Sequence, residues 1–268
     1  MSLTAKLLEL PQWLCILMSI VVLLTYSIGG FLIVHRFIPS KVRQSHNDVA
    51  GFVFASLGVT YGVLMAFVVF VVWAQFNEAK VNIANESSNS IVLYHQIQAY
   101  PDQAASQIML DSLLKFAEHE QAHQAIQSDS LDHIQLQNED EASLNQFFEI
   151  ISGVVPKNDY ELVSYSNIMD SMNDLAKYHN LRLQFAEEEL PGILWVVILG
   201  GAMITMGFTF LFGTERVWAH IAIMSPLAIL IAIVIYLIIE FDHPSLGGIN
   251  IGTPTGYSRM IDMADQRH

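Results

Sequence analysis

Apolar positions run without a charged residue through 13–34, 49–73, 193–212 and 218–239. A helix needs roughly 20 such residues to cross about 30 Å of hydrocarbon, and each run meets that length. Trp13, Trp73, Phe76, Trp195 and Trp218 lie at or near the ends of the runs, where aromatic rings settle at a membrane–water boundary. The pattern favours four membrane spans over four buried helices of a soluble protein. The first run is too long for a secretory leader and has no convincing cleavage site, so it is read as a retained anchor.

A different periodicity fills 77–190. Val81, Ala84, Ser88, Ile91 and His95 recur every three or four residues, which predicts that the second span continues outward as a helix. Pro101 interrupts it, and a second helix is predicted over 102–127. Residues 128–140 are polar and read as a loop. A short helix is expected over 141–151, ended by Gly153 and Pro156. A long one is expected over 160–189, with Leu162, Tyr165, Met169, Met172, Ala176 and His179 on its apolar stripe, and Pro191-Gly192 stops it. The expected fold is all-α: a polytopic membrane protein with a helical bundle inserted between spans two and three. Its expected divisions are 1–76 (two spans and a basic loop), 77–190 (the bundle), 191–239 (two spans) and 240–268, a Gly- and Pro-containing tail read as irregular.

Charge sharpens the picture. The net charge is −14. Residues 77–190 hold 19 acids and 5 bases, so the whole excess lies on the inserted bundle. Such a surface excludes nucleic acid as a partner and attracts cations. The loop between the first two spans carries Arg36, Lys41 and Arg43, and short basic loops stay in the cytoplasm. The acidic bundle and both termini are then expected in the periplasm or exterior. Cys15 is the single cysteine, so no internal disulfide forms.

Candidate chemistry falls in three places. On the second span Gly51, Ala55, Gly58, Gly62 and Ala66 share one helix face, a stripe that lets helices pack closely or leaves room beside a pore. Polar residues gather at both ends of the spans. His46, Asn47, Asp48, Glu215, Arg216 and His220 form one group, with Asn47 or Asp48 a candidate helix cap. Gln75, Glu78, Glu187, Glu188, Glu189, Glu240 and Asp242 form the other, which reads as a solvated acidic surface or an acidic mouth that concentrates cations. The third place is His119-Glu120-Gln121-Ala122-His123, which matches H-E-x-x-H. Two His one turn apart can hold zinc with Glu as general base. Here no glycine turn and third His follow, although Glu139 or Glu141 could serve as another ligand. No phosphate loop or nucleophile elbow is present, and no cofactor is expected.

His46-Asn47-Asp48-Val49-Ala50-Gly51-Phe52, Ala66-Phe67-Val68-Val69, Val72-Trp73-Ala74-Gln75-Phe76, Gly207-Phe208-Thr209-Phe210-Leu211-Phe212-Gly213 and Trp218-Ala219-His220 resemble a family of bacterial membrane proteins called bestrophin-like. Asp242-His243-Pro244 fits as well, with His where the family more often has Arg. The resemblance spans nearly the whole chain. It implies distant kinship with bestrophins, which are pentameric ion channels, mostly anion-selective, whose second helix lines the pore. By that resemblance a pore neck falls near Phe52, Phe54 or Phe67 and the assembly is a homo-pentamer. The leading expectation is an oligomeric ion channel, not an enzyme, with inorganic ions and the bilayer as partners. Physics favours cations and the resemblance favours anions. The alternatives are a non-conducting scaffold or sensor that binds a partner or divalent cation through its acidic domain, and a zinc hydrolase built on His119, Glu120 and His123.

Overall fold

The computed structural model describes residues 11–127, 133–187, 190–214, 216–242 and 254–266. The side chains of Lys41 and of residues 123–127, 133–141 and 186–187 lie outside that description. Among the described residues there are helices and connections but no strand, so the protein is all-α. The chain divides into two compact units, Met1–Phe76 with Glu189–Asn250, and Asn77–Glu188 with Ile251–His268.

The first unit holds the apolar runs. They form α1 (Gln12–Phe37), the short α2 (Ser40–Gln44), the first half of α3 (Asn47–Gln98), α7 (Gly192–Thr209) and α8 (Val217–Asp242). α1 packs on α8 and α7, and α7 packs on α8. Only 11% to 39% of the most apolar window of each long helix is buried by the unit itself. Water would not tolerate that much uncovered apolar helix, and hydrocarbon would. This is an integral membrane protein.

The second unit is a helical bundle built from the second half of α3, α4 (Gln103–Gln127), α5 (His133–Ser152), α6 (Asp159–Glu187) and α9 (Thr255–Asp265). Leu93, Ile97, Met109, Leu113, Phe116, Phe147, Ile151, Ile168, Met172, Leu175, Tyr257 and Met260 form its buried core. Capping fixes the helix starts. Asp102 accepts the free N–H groups of Ala104 and Ala105 at 3.0 and 3.3 Å. Asn158 accepts the Glu161 N–H at 2.9 Å, and Glu161 reaches back to the Lys157 N–H at 2.8 Å.

One sequence expectation holds here and two need correction. α3 continues to Gln98 as expected; Val81 of the recurring set is 49% exposed, Ile91 packs against the core, and the buried side carries Asn82, Glu86, Ser90, Leu93 and Ile97. The buried face is partly polar, so a hydrophobic count selects the opposite one. Residues 133–140 are helical within α5, because Leu144, Phe147 and Ile151 bury one face and a polar remainder suffices for the rest. The tail is likewise not wholly irregular. Pro254 opens α9, and Tyr257 with Met260, three apart, anchors it in the core.

Candidate functional site

α3 presents two contrasting sides within the first unit. Tyr61, Met65, Val68, Val72 and Phe76 are buried. The Tyr61 hydroxyl donates to the Ile198 carbonyl of α7 at 3.0 Å, and Gly201 leaves room for its ring. Successive residues turn by about 100°, so Phe52, Val59, Val63, Phe67 and Phe70 fall together on the opposite side. They are between 51% and 78% exposed. Phe54, a third neck candidate by resemblance, points elsewhere. Its ring packs on Phe208 and Phe212, with centroids 6.5 and 5.6 Å away.

The small-residue stripe borders that open side. A methyl added at Gly51, Gly58 or Gly62 would meet nothing within 4 Å, and Ala55 and Ala66 are exposed. Packing among the described residues therefore leaves the stripe uncovered. Gly58, Gly62 and Ala66 instead line an open apolar groove of about 750 Å³, walled by Tyr61, Met65, Trp73, Leu230 and Val234 among others.

At the start of α3 the polar residues split. Asn47 is clamped to the turn after α7: it donates to the Gly213 carbonyl and accepts the Gly213 N–H, both at 2.9 Å. It therefore joins two loops. Gly213 is required there, because a Cβ would sit 2.4 Å from the Gln44 nitrogen. Arg43, buried, donates to the carbonyls of Phe210 and Phe212 at 3.0 and 3.3 Å and to His35 Nδ1 at 2.7 Å. It satisfies the end of α7 as a C-terminal cation should. His220 is buried and stacks on Phe31, centroids 4.1 Å apart. His46, Asp48 and Arg216 are exposed, and Glu215 lies outside the described residues.

At the other polar group the expectation of a solvated acidic surface fails for two residues. Glu240 is buried and accepts a hydrogen bond from the Tyr236 hydroxyl. Asp242 is buried and accepts the Leu190 N–H at 2.8 Å, which holds the chain ahead of α7. Both are internal acceptors. Gln75 is half-buried and Glu78 exposed. Glu188, Glu189 and the Glu187 side chain lie outside the described residues, as do His243 and Pro244.

The second unit contains a buried polar cluster that no sequence motif announces. Arg182 of α6 donates to Glu86 of α3 and to Glu120 of α4, each at 2.7 Å. His179 Nδ1 lies 3.1 Å from the same Glu86 and 3.2 Å from Arg182 Nη2. Tyr257 of α9 donates to Glu86 at 2.7 Å. Glu86 and His179 are fully buried and Glu120 is 1% exposed. Burial alone would raise the Glu86 carboxyl, but the Arg182 charge, with hydrogen bonds from His179 and Arg182, holds it at about 2. Burial would lower Arg182, and the Glu86 and Glu120 charges raise it further. Burial and the same two carboxylates push Tyr257 well up.

Glu120 is the acid of H-E-x-x-H, and it is committed to Arg182. His119 is half-buried, and the His123 side chain lies outside the described residues. Ligand atoms of Glu86, Glu120 and His179 do come within 4.8 Å of one another. The Arg182 guanidinium already bridges both carboxylates, so the acids have their cation. The set fits an ion-pair cluster better than a metal centre.

The sequence profile of the Bestrophin-like domain matches residues 21–254. The chain belongs to the Bestrophin-like family. No curated protein matches the sequence. Among solved structures it is similar to a bacterial bestrophin homolog from Klebsiella pneumoniae carrying a tyrosine-to-alanine mutation. The TM-score is 0.62 at 12% identity, over 92% of this chain and 96% of that one. A tryptophan-to-alanine mutant of the Klebsiella pneumoniae homolog gives 0.60 at 13% identity, over 94% of both chains. A membrane protein with a proline-to-alanine substitution gives 0.60 at 12%, over 94% and 96%. At such low identity the likeness is one of fold. This Bestrophin-like chain thus keeps the helical architecture with almost none of the side chains, so its own residues must carry any statement about its site.

Proposed function

We propose that this protein is a subunit of a homo-oligomeric ion channel, with α3 lining the pore. One observation carries the reading: a long helix packed on one side has an apolar face of Phe52, Val59, Val63, Phe67 and Phe70 that its own chain leaves uncovered. Lipid alone would accept such a face, but the adjacent stripe of Gly51, Ala55, Gly58, Gly62 and Ala66 is built for close helix approach, and among the described residues nothing lies within 4 Å of a Cβ added at Gly51, Gly58 or Gly62. A neighbouring copy seated in the groove beside the stripe would bring the α3 helices of successive copies together. Phe52 and Phe67 then form the neck, and Phe54 is a packing residue. Membership of the Bestrophin-like family supports a channel, and kinship with bestrophins supports a pentamer.

The excess of acid on the second unit favours cations over anions. The basic loop between α1 and α3 favours an inner-membrane orientation with that unit and both termini in the periplasm. The deciding experiment is the reversal potential of purified, intact oligomer in a planar bilayer under a tenfold KCl gradient. A value near the potassium limit is expected. A value near the chloride limit would keep the channel and overturn its selectivity. Absence of current from folded oligomer would sink the channel reading and leave a membrane scaffold.

A further inference from the structure

The exposed side of α3 in the second unit breaks the pattern of that unit's surface. Residues 77–190 carry 19 acids and 5 bases. The other helices accordingly put charge into water: Asp111 and Lys115 on α4, Glu149 on α5, Asp174 on α6 and Asp262 on α9 are all exposed. Between Val81 and Gln98, α3 holds one Asp, Glu, Lys or Arg. It is Glu86, which is buried against Arg182. The residues that α3 exposes there include Val81, Ala84, Ser88, Val92 and His95. At about 100° per residue these five fall within about 80° of one another. They make a straight stripe about 21 Å long, at about 1.5 Å per residue. Val81 and Val92 are 49% and 42% exposed in the single chain. About four turns of helix with no Asp, Glu, Lys or Arg on this side are out of place on an acidic surface in water. Depletion of charge is the mark of a surface that a partner covers.

We infer that this stripe is covered by the same stripe of a second copy, so that the α3 helices also meet outside the membrane. The inference rests on the homo-oligomer proposed above and extends it beyond the spans. α3 is a single helix from Asn47 to Gln98, so one element serves both contacts. Charge selects the occupant. A different protein held by opposite charge would be drawn to the acidic faces of this unit. A second copy carries the same acid excess and is repelled by those faces. It approaches closely only where neither partner bears charge. Side-chain size agrees with a helix as the occupant. Ala84 and Ser88 let two helix axes come near, and Val81 and Val92 stand out on either side of them to fill the space between.

Two experiments on the full-length protein test this without reference to conduction. In the first, Ser88→Cys is made with Cys15→Ser, which removes the single native cysteine, and the membranes are mildly oxidised. Two cysteines join only when their Cα atoms lie within about 7 Å. A reducible dimer on non-reducing gels is expected from Ser88→Cys, and none from Lys115→Cys, which lies on the charged exposed side of α4. Protein that native mass spectrometry finds oligomeric but that forms no Ser88→Cys dimer overturns the contact and leaves the homo-oligomer standing. Labelling of that cysteine in the intact oligomer by a charged, water-borne thiol reagent overturns it too, and assigns the stripe to a water-filled lumen. A monomer overturns both readings. A dimer without ion current keeps the contact and removes the channel. In the second experiment, Ser88→Glu sets like charges face to face at the contact. Loss of the oligomer from native mass spectra is expected, with an unchanged melting curve by circular dichroism, because Ser88 is exposed in the single chain. Asn145→Glu adds the same charge on the exposed side of α5 and should leave the oligomer intact. Equal effects of the two substitutions on oligomer size overturn the contact.

Discussion

Arg182 bridges two carboxylates that burial would otherwise protonate or expel, and removing it leaves both without their cation. Breaking a buried pair in this way costs about 3–5 kcal/mol, so Arg182→Met should lower the thermal midpoint sharply, read by circular dichroism of the full chain. Arg182→Lys should fail to rescue it, because an ammonium on a single stem cannot repeat the two-pronged reach to Glu86 and Glu120. Glu86 sets an acid limit on stability. Its carboxyl lies at about 2 in the fold against 4.5 ordinarily, so the stability it contributes is complete above about pH 4.5 and is lost as the pH falls towards 2. Unfolding midpoints between pH 5 and pH 2 should therefore drop in the native protein, and drop less in Glu86→Gln. Little of this was legible in the sequence. Glu120 stood out only as the acid of H-E-x-x-H, whereas its partner Arg182 lies 62 positions away. Glu86 and Tyr257 are 171 positions apart, and a contact that distant has no local pattern.

At the scale of the element, hydrophobic length located all four spans, because membrane-crossing helices must be apolar whatever they pack against. Periodicity announced that α3 runs on beyond its span, but not that its buried face carries Asn82, Glu86 and Ser90. A face chosen by polar pairing is invisible to a hydrophobic count. Glycines separate into two kinds that the sequence does not distinguish. At Gly213 and Gly256 an added Cβ would strike backbone atoms, at 2.4 Å from the Gln44 nitrogen and 2.3 Å from the Ser87 carbonyl. At Gly58 and Gly62 it would meet open space. Gly256→Ala should therefore loosen α9, destabilising the second unit by about 1–3 kcal/mol and raising exchange in α9 at every pH. Gly213→Ala should damage the corner clamped by Asn47 more than Asn47→Ala does, because the first displaces backbone and the second removes two hydrogen bonds at 2.9 Å. Denaturant unfolding of the two variants side by side checks the order.

For the whole molecule the decisive question is what covers the open side of α3, and a single chain answers only in the negative. The sequence displayed the stripe of Gly51, Ala55, Gly58, Gly62 and Ala66 but could not say whether the other spans of the same chain fill it. In the fold they do not. That difference gives a test that separates folding from assembly. Gly62→Leu places a bulky side chain where the isolated subunit has room, and leucine favours helix over glycine by about 1 kcal/mol. The subunit should therefore keep its helicity and its unfolding midpoint. If a neighbouring copy occupies the groove, the same leucine collides with it, and native mass spectrometry should find the oligomer dissociated or reduced in size. Phe67→Ala is the complementary probe. It removes a ring that is 65% exposed in the single chain, so it should leave both stability and oligomer size unchanged. It should alter the single-channel conductance if Phe67 faces the pore. A Gly62→Leu protein with unchanged oligomer size would mean that lipid, not protein, fills the groove, and α3 would then line no pore from that side.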